Sequence, residues 1–291
     1  MIPQAFDYEA PLTLGKAISL LQKHGDDAKI MSGGHSLIPM MKLRLATPAT
    51  IIDIRGIKGL EYITETGGML KIGSLTKEVA LEESRTIKFK YPLIHDATLL
   101  IADPTVRNLA TLGGNLAHGD SANDHPAVML ALGASIVVTG PNGKRTIGID
   151  DFFLGFFTTA LEQDEILTEI QIPIPAKKSG GCYLKLERKV GDYATVGSAA
   201  QVSLADDGSL SYVGIALTNV SGSPIRSARA EEMLRGKVPT DELIYAAATA
   251  AAQDCDPNPD LRGSVDYKRA MVRTYTERAL KSAVARAKKK K

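Results

Sequence analysis

The feature that most narrows the fold is a pair of glycine doublets, Ser32-Gly33-Gly34-His35-Ser36 and Thr111-Leu112-Gly113-Gly114-Asn115. Glycine lacks a Cβ, so its backbone can turn N–H groups outward and let a bulky anion approach closely. Hydroxyl, imidazole and amide side chains flank the doublets and add donors. Two such segments facing one another would hold a single diphosphate, each charge-assisted hydrogen bond contributing roughly 1.5–3 kcal/mol. A plainer reading stands beside this one, because Gly-Gly is common in turns and Thr-x-Gly-Gly-Asn also ends strands. Neither segment is followed by Gly-Lys-Ser/Thr, and neither reads G-x-G-x-x-G, so the ordinary nucleotide folds are disfavoured.

The flanking pattern places the doublets. Leu14, Ala17, Ile18 and Leu21 recur at helical spacing, with Thr13 as cap and Gly25 as stop. A short apolar strand over 28–31 runs into the first doublet, and a short helix over 37–45 and a strand over 50–54 follow. That β–loop–helix–β order puts the first doublet at a strand's carboxyl end, where α/β units bind ligands. Further on, a strand over 69–73 and helices over 76–84 and 92–100 precede the second doublet. Asp124 reads as the cap of a helix ending at Gly133, and Gly140-Pro141-Asn142-Gly143 as a hairpin turn. Asp120 and Asp124 can accept from sugar-type hydroxyls; Asp120 reads as a turn residue.

The stretch 176–181, Ala-Lys-Lys-Ser-Gly-Gly, reads as a linker. Beyond it the pattern predicts three antiparallel strands with helices on one face, closed by a long helix over 265–287. In that helix the stripe Tyr267, Met271, Tyr275, Ala279, Ala283 reads as core packing.

With 291 residues the chain suits two or three modest domains. A net charge of +2, part of it in the terminal lysine run, does not imply nucleic-acid binding. No apolar run reaches the ~18 residues of a membrane span, and the N-terminus shows no secretory signal, so a cytoplasmic protein is expected. Two cysteines, Cys182 and Cys255, are too few for the four thiolates of a [2Fe–2S] cluster. The five histidines are scattered without metal spacing.

Taken together, the two doublets at this separation and Asp124 give the chain a family likeness. So do Phe152-Phe-Leu-Gly-Phe-Phe-Thr158, Glu165-Ile-Leu-Thr-Glu-Ile-Gln-Ile-Pro173 and Arg262-Gly-Ser-Val-Asp-Tyr-Lys-Arg269. The chain resembles, over nearly its whole length, the FAD-binding medium subunit of the aerobic (molybdenum) carbon monoxide dehydrogenase / xanthine dehydrogenase family. The resemblance implies an α+β fold of the vanillyl-alcohol-oxidase (PCMH) type. It would have FAD-binding subdomains over 1–56 and 57–176 and a C-terminal three-stranded antiparallel sheet with helices over 177–291. It implies noncovalent FAD, with the backbone of Ser32, Gly33, Gly34, His35 and Ser36 and of Thr111, Leu112, Gly113, Gly114 and Asn115 at the diphosphate. Asp124 would accept from ribose or ribityl hydroxyls, Ile101 and Tyr193 would flank the isoalloxazine ring, and Lys185 would contact the flavin or the adenylate end. Leu167 is a weaker match.

The resemblance also implies no catalytic residue or metal ligand on this chain. The molybdenum cofactor would sit on a large partner subunit and two [2Fe–2S] clusters on a small one, in a dimer of heterotrimers. Electrons would leave through FAD to an external acceptor, and membrane association through a partner stays open. Two alternatives remain: a self-contained flavin oxidase with FAD attached at His35, and a non-catalytic scaffold subunit.

Overall fold

The computed structural model describes residues 2–290. Strands β1 (Asp7–Glu9), β2 (Ala28–Met31) and β3 (Thr50–Asp53) form a small parallel sheet, with helices α1 (Leu14–His24) and α2 (Leu37–Lys42) between them. The Thr13 hydroxyl caps α1 by accepting from the Lys16 amide, and Gly25 ends it at φ 57°. β3 is central, in the order β1-β3-β2, with Met31 opposite Asp53. The first glycine doublet therefore leaves the sheet at its carboxyl edge, as the pattern predicted.

Next come β4 (Ile63–Thr66) and β5 (Met69–Gly73), then α3 (Glu78–Glu83), α4 (Arg85–Lys90), α5 (Pro92–Leu99), α6 (Pro104–Arg107), α7 (Leu112–His118) and α8 (Asp124–Leu132). After these run β6 (Ser135–Gly140), β7 (Gly143–Gly148), the small hairpin β8 (Phe153–Gly155) and β9 (Thr158–Thr159), and β10 (Ile166–Pro173). The larger strands form an antiparallel sheet ordered β4-β5-β10-β6-β7. All nine residues of α8 are buried, which explains why its sequence carries no amphipathic stripe.

Two expectations change here. The second glycine doublet is not a turn: Thr111 is the N-cap of α7, its hydroxyl accepting from the Gly114 amide at 3.1 Å. Gly113 and Gly114 are the first turn of a helix that Gly119 stops in the left-handed conformation. Asp124 is not a cap either; Asn123 holds that position and Asp124 is the first helical residue.

The C-terminal part holds β11 (Ser179–Leu186), β12 (Val196–Leu204), β13 (Leu210–Thr218), β14 (Ile225–Arg226), α9 (Ala228–Leu234), α10 (Asp241–Asp254) and α11 (Val265–Lys289). The sheet has four strands rather than three, because two residues pair against the edge of β13. Helices cover both of its faces, not one: α11 packs on one side, and α5 and α8 on the other.

The expected linker is also shorter than 176–181, since Ser179–Gly181 already belong to β11. There the glycines serve close packing: a Cβ on Gly180 would lie 2.1 Å from the Ala283 carbonyl of α11. In α11 the buried stripe runs through Lys268, Val272, Thr276, Ala279, Leu280 and Ala283. Of the expected stripe, Ala279 and Ala283 are buried and Met271 packs half-buried against the core, whereas Tyr267 is exposed.

Candidate functional site

The loop after β2 and the start of α7 open onto one cleft of about 660 Å³ between the first and second sheets. Glycine makes the junction tight: a Cβ on Gly33 would sit 2.3 Å from the Leu109 carbonyl, and one on Gly113 2.5 Å from Ser74 Cβ. The Ser32 and Thr111 hydroxyls close the seam at 2.6 Å. Ser32, Gly33, Gly34, His35 and Ser36, together with Thr111, Gly113, Gly114, Asn115 and Leu167, all line this cleft.

The two doublets are not equivalent as donors. In α7 every amide of the first turn is engaged inside the protein. Leu112 donates to the Thr76 carbonyl, Gly113 to Ser74, Asn115 to Thr111, and Gly114 to the Thr111 hydroxyl. The amides of Gly33, Gly34, His35 and Ser36 meet no acceptor among the described residues. Gly34 lies at φ 75°, a left-handed conformation of the kind found in anion-cradling turns, and Gly33 to Ser36 all line the cleft. What α7 adds is the side chain of Asn115, whose Oδ1 has no partner.

Buried polar atoms without partners converge on the same space. His35 Nε2, Ser74 Oγ and Asn115 Oδ1 are buried and unpaired, and all three residues line the cleft. An unsatisfied buried polar atom costs about 1–3 kcal/mol, so three beside one cavity mark a place shaped for a polar ligand. Ile30, Leu37, Leu161 and Leu167 give the cleft an apolar wall suited to a flat ring. His118, also on the wall, packs against Phe157 at a centroid separation of 4.8 Å. Burial lowers its pKa against the opposing charge of Asp120, which favours the neutral imidazole.

The remaining expected residues stand outside this lining. Leu112 is fully buried in the core beneath α7. Ile101 is 9% exposed, in the loop where Ala102 takes φ 44° and Arg107 donates to the Ile101 carbonyl at 3.0 Å. Tyr193 is half-exposed; burial and the charges of Asp120 and Asp124 raise its pKa.

Asp124 and Lys185 meet each other. Lys185 Nζ donates to Asp124 Oδ2 at 2.9 Å and to the Leu100 carbonyl at 2.8 Å, and lies 3.5 Å from Glu187. The other Asp124 oxygen accepts from Tyr183 at 2.6 Å. Burial raises the Asp124 pKa, with Lys185 and Tyr183 opposing it. This cluster fastens β11 to α8 and to the end of α5, beside the Ile101 loop. Sequence reasoning missed Ser74, a lone serine after a strand, and Tyr183, whose alternation with Lys185 on β11 was the available signal.

A cleft with a backbone anion cradle, an apolar wall and unpaired polar atoms is suited to a dinucleotide. Residues 4–175 match the family described as FAD binding domain in molybdopterin dehydrogenase, and 181–283 match CO dehydrogenase flavoprotein C-terminal domain. The carbon monoxide dehydrogenase medium chain of Hydrogenophaga pseudoflava is 47% identical over 286 residues, 98% of this chain and 99% of that one. The medium chain of Afipia carboxidovorans is 42% identical over 99% of this chain and 100% of its own length. A solved carbon monoxide dehydrogenase from Hydrogenophaga pseudoflava, lacking the Mo-pyranopterin moiety of the molybdenum cofactor, superposes with a TM-score of 0.96 at 48% identity. That match covers 98% of this chain and 99% of that one. The chain belongs to the family of FAD-binding medium chains of carbon monoxide dehydrogenase.

Proposed function

We propose that this chain is the FAD-binding electron-transfer subunit of a heteromeric molybdenum hydroxylase of the carbon monoxide dehydrogenase type. The observation that carries the reading is the cleft's polarity: free amides of Gly33, Gly34, His35 and Ser36 facing the first turn of α7 across the cleft. Those amides hold the diphosphate, the Thr111 and Asn115 side chains contribute from α7, and Ile30, Leu37 and Leu167 line the apolar side. Ile101 and Tyr193 border the ring end. Asp124 and Lys185 fix the Leu100–Ile101 loop through their ion pair, which leaves contact with the cofactor as their secondary role.

FAD, when bound, supplies the redox chemistry by which electrons from iron–sulfur clusters on a small partner subunit reach an external acceptor. Substrate is oxidised on a large molybdenum-containing partner, and the assembly is a dimer of heterotrimers. No helix among the described residues is long and apolar enough to cross a membrane, and we place the assembly in the cytoplasm. The subdomain limits 1–56, 57–176 and 177–291 belong to the same proposal.

Reconstitution tests it. The purified full chain takes up one FAD, and acid precipitation leaves the yellow colour in the supernatant. Colour retained in the pellet supports instead a self-contained oxidase with flavin bonded at His35, whose buried Nε2 has no partner. Failure to take up FAD supports the scaffold reading.

A further inference from the structure

We propose that Ser74 is a binding residue of this cleft, its hydroxyl donating to a phosphoryl oxygen of the bound dinucleotide; the inference rests on the FAD reading above. Ser74 follows β5 directly. Its amide donates to the Thr168 carbonyl at 3.1 Å, and its carbonyl accepts from Gly113 at 3.0 Å. The backbone is thus clamped between β10 and the first turn of α7. The side chain is left over: the residue is 3% exposed, lines the cleft, and its Oγ has no partner.

Nearby hydroxyls behave differently. Thr76 Oγ1 donates to the Tyr62 carbonyl and accepts from the Tyr62 amide. Thr168 Oγ1 reaches the Val137 carbonyl and Thr139. Each of these serves the fold, whereas the Ser74 hydroxyl serves nothing within it. A buried hydroxyl without an acceptor makes the folded chain less stable than alanine would at the same place. A hydroxyl left without a partner on the wall of a cleft points to an acceptor that arrives from outside.

The surroundings specify that acceptor. Gly113 has no Cβ, so Ser74 packs directly against the start of α7. The free amides of Gly33 to Ser36 across the cleft favour negative charge there. A diphosphate oxygen is an acceptor only, and it matches a hydroxyl in want of one.

The test is Ser74→Ala in the full-length chain, stripped of flavin and titrated with FAD and with ADP. The dissociation constants for FAD and ADP both rise tenfold or more, while the flavin-free melting temperature stays level or rises. This opposition of signs separates a ligand contact from a structural one. The proposal is overturned if FAD affinity stays within twofold of the parent, or if the flavin-free protein melts lower. A loss confined to FAD, with ADP unchanged, overturns the phosphoryl assignment. A parent chain that binds no FAD sinks the functional reading itself, an outcome distinct from a parent that binds and a variant that binds equally well.

Discussion

Replacing Lys185 with methionine isolates the ion pair that joins β11 to α8. The two side chains are 2% and 7% exposed and 2.9 Å apart, so solvent screening is slight. Methionine keeps much of the aliphatic stem, which limits cavity effects, and removes the charge. Asp124 is then left buried with only the Tyr183 hydroxyl, and the Leu100 carbonyl loses its donor. Breaking a buried pair from one side costs about 3–5 kcal/mol.

The pH dependence carries the diagnosis. Burial already raises the Asp124 pKa in the folded chain, and loss of Lys185 raises it further. A carboxyl whose folded pKa lies above its unfolded value penalises the native state as pH rises through the folded value. Below the unfolded value the penalty vanishes. Urea unfolding of the flavin-free chain, followed by circular dichroism, therefore shows the full loss at about pH 8 and a smaller one at about pH 5.5. Adding Asp124→Asn recovers most of the loss at the higher pH. A loss under about 1 kcal/mol at pH 8, or one equal at both pH values, refutes the reasoning.

Other substitutions probe the cleft and the small sheet. Gly34→Val forces a β-branched residue to φ 75°, with its Cβ 2.8 Å from Ile38 Cδ1; FAD affinity measured by fluorescence titration falls roughly tenfold to a hundredfold. Thr111→Ala removes the cap of α7 and the link to Ser32, lowering stability by about 1 kcal/mol in urea with an unchanged slope. Burial pushes the Asp53 pKa up, but hydrogen bonds from Arg55 and Tyr8 outweigh it and leave it lowered. Its contribution is thus present above the ordinary carboxylate range and is lost as pH falls, so Asp53→Asn flattens acid destabilisation below about pH 4 in a thermal-melt series.

Much of the small parallel sheet and its helices was legible, because their signals are local: Thr13 and Gly25 bracket α1, and the apolar run 28–31 ends at a glycine doublet. The second doublet misled because two glycines in a first helical turn look like a turn. What makes them helical is the Thr111 cap and the close approach to Ser74, a contact far away in sequence. Gly180 and Gly181 misled in the opposite sense, resembling a linker while packing against α11 and α5. In α11 the conspicuous tyrosines drew the stripe away from the centre of the buried face. The buried face runs through Val272, Leu280, Val284 and alanines, with Thr276 and Lys268, whose ammonium pairs with Asp260 at 2.9 Å. Sequence pattern located the residues around Gly33 and Gly34 but could not show that α7's amides were already taken, since that depends on Thr76 and Ser74 lying alongside.

The enclosed helix α8 ties the parts into one folding unit. It touches α5 and β10 on one side and β12, β13 and β14 of the C-terminal sheet on the other, so its apolar circumference belongs to neither alone. A nascent polypeptide cannot dry that rod until its last third has been made. Until then its apolar circumference stands bare, a strong reason for the second sheet and its helices to settle only after the C-terminal strands have formed.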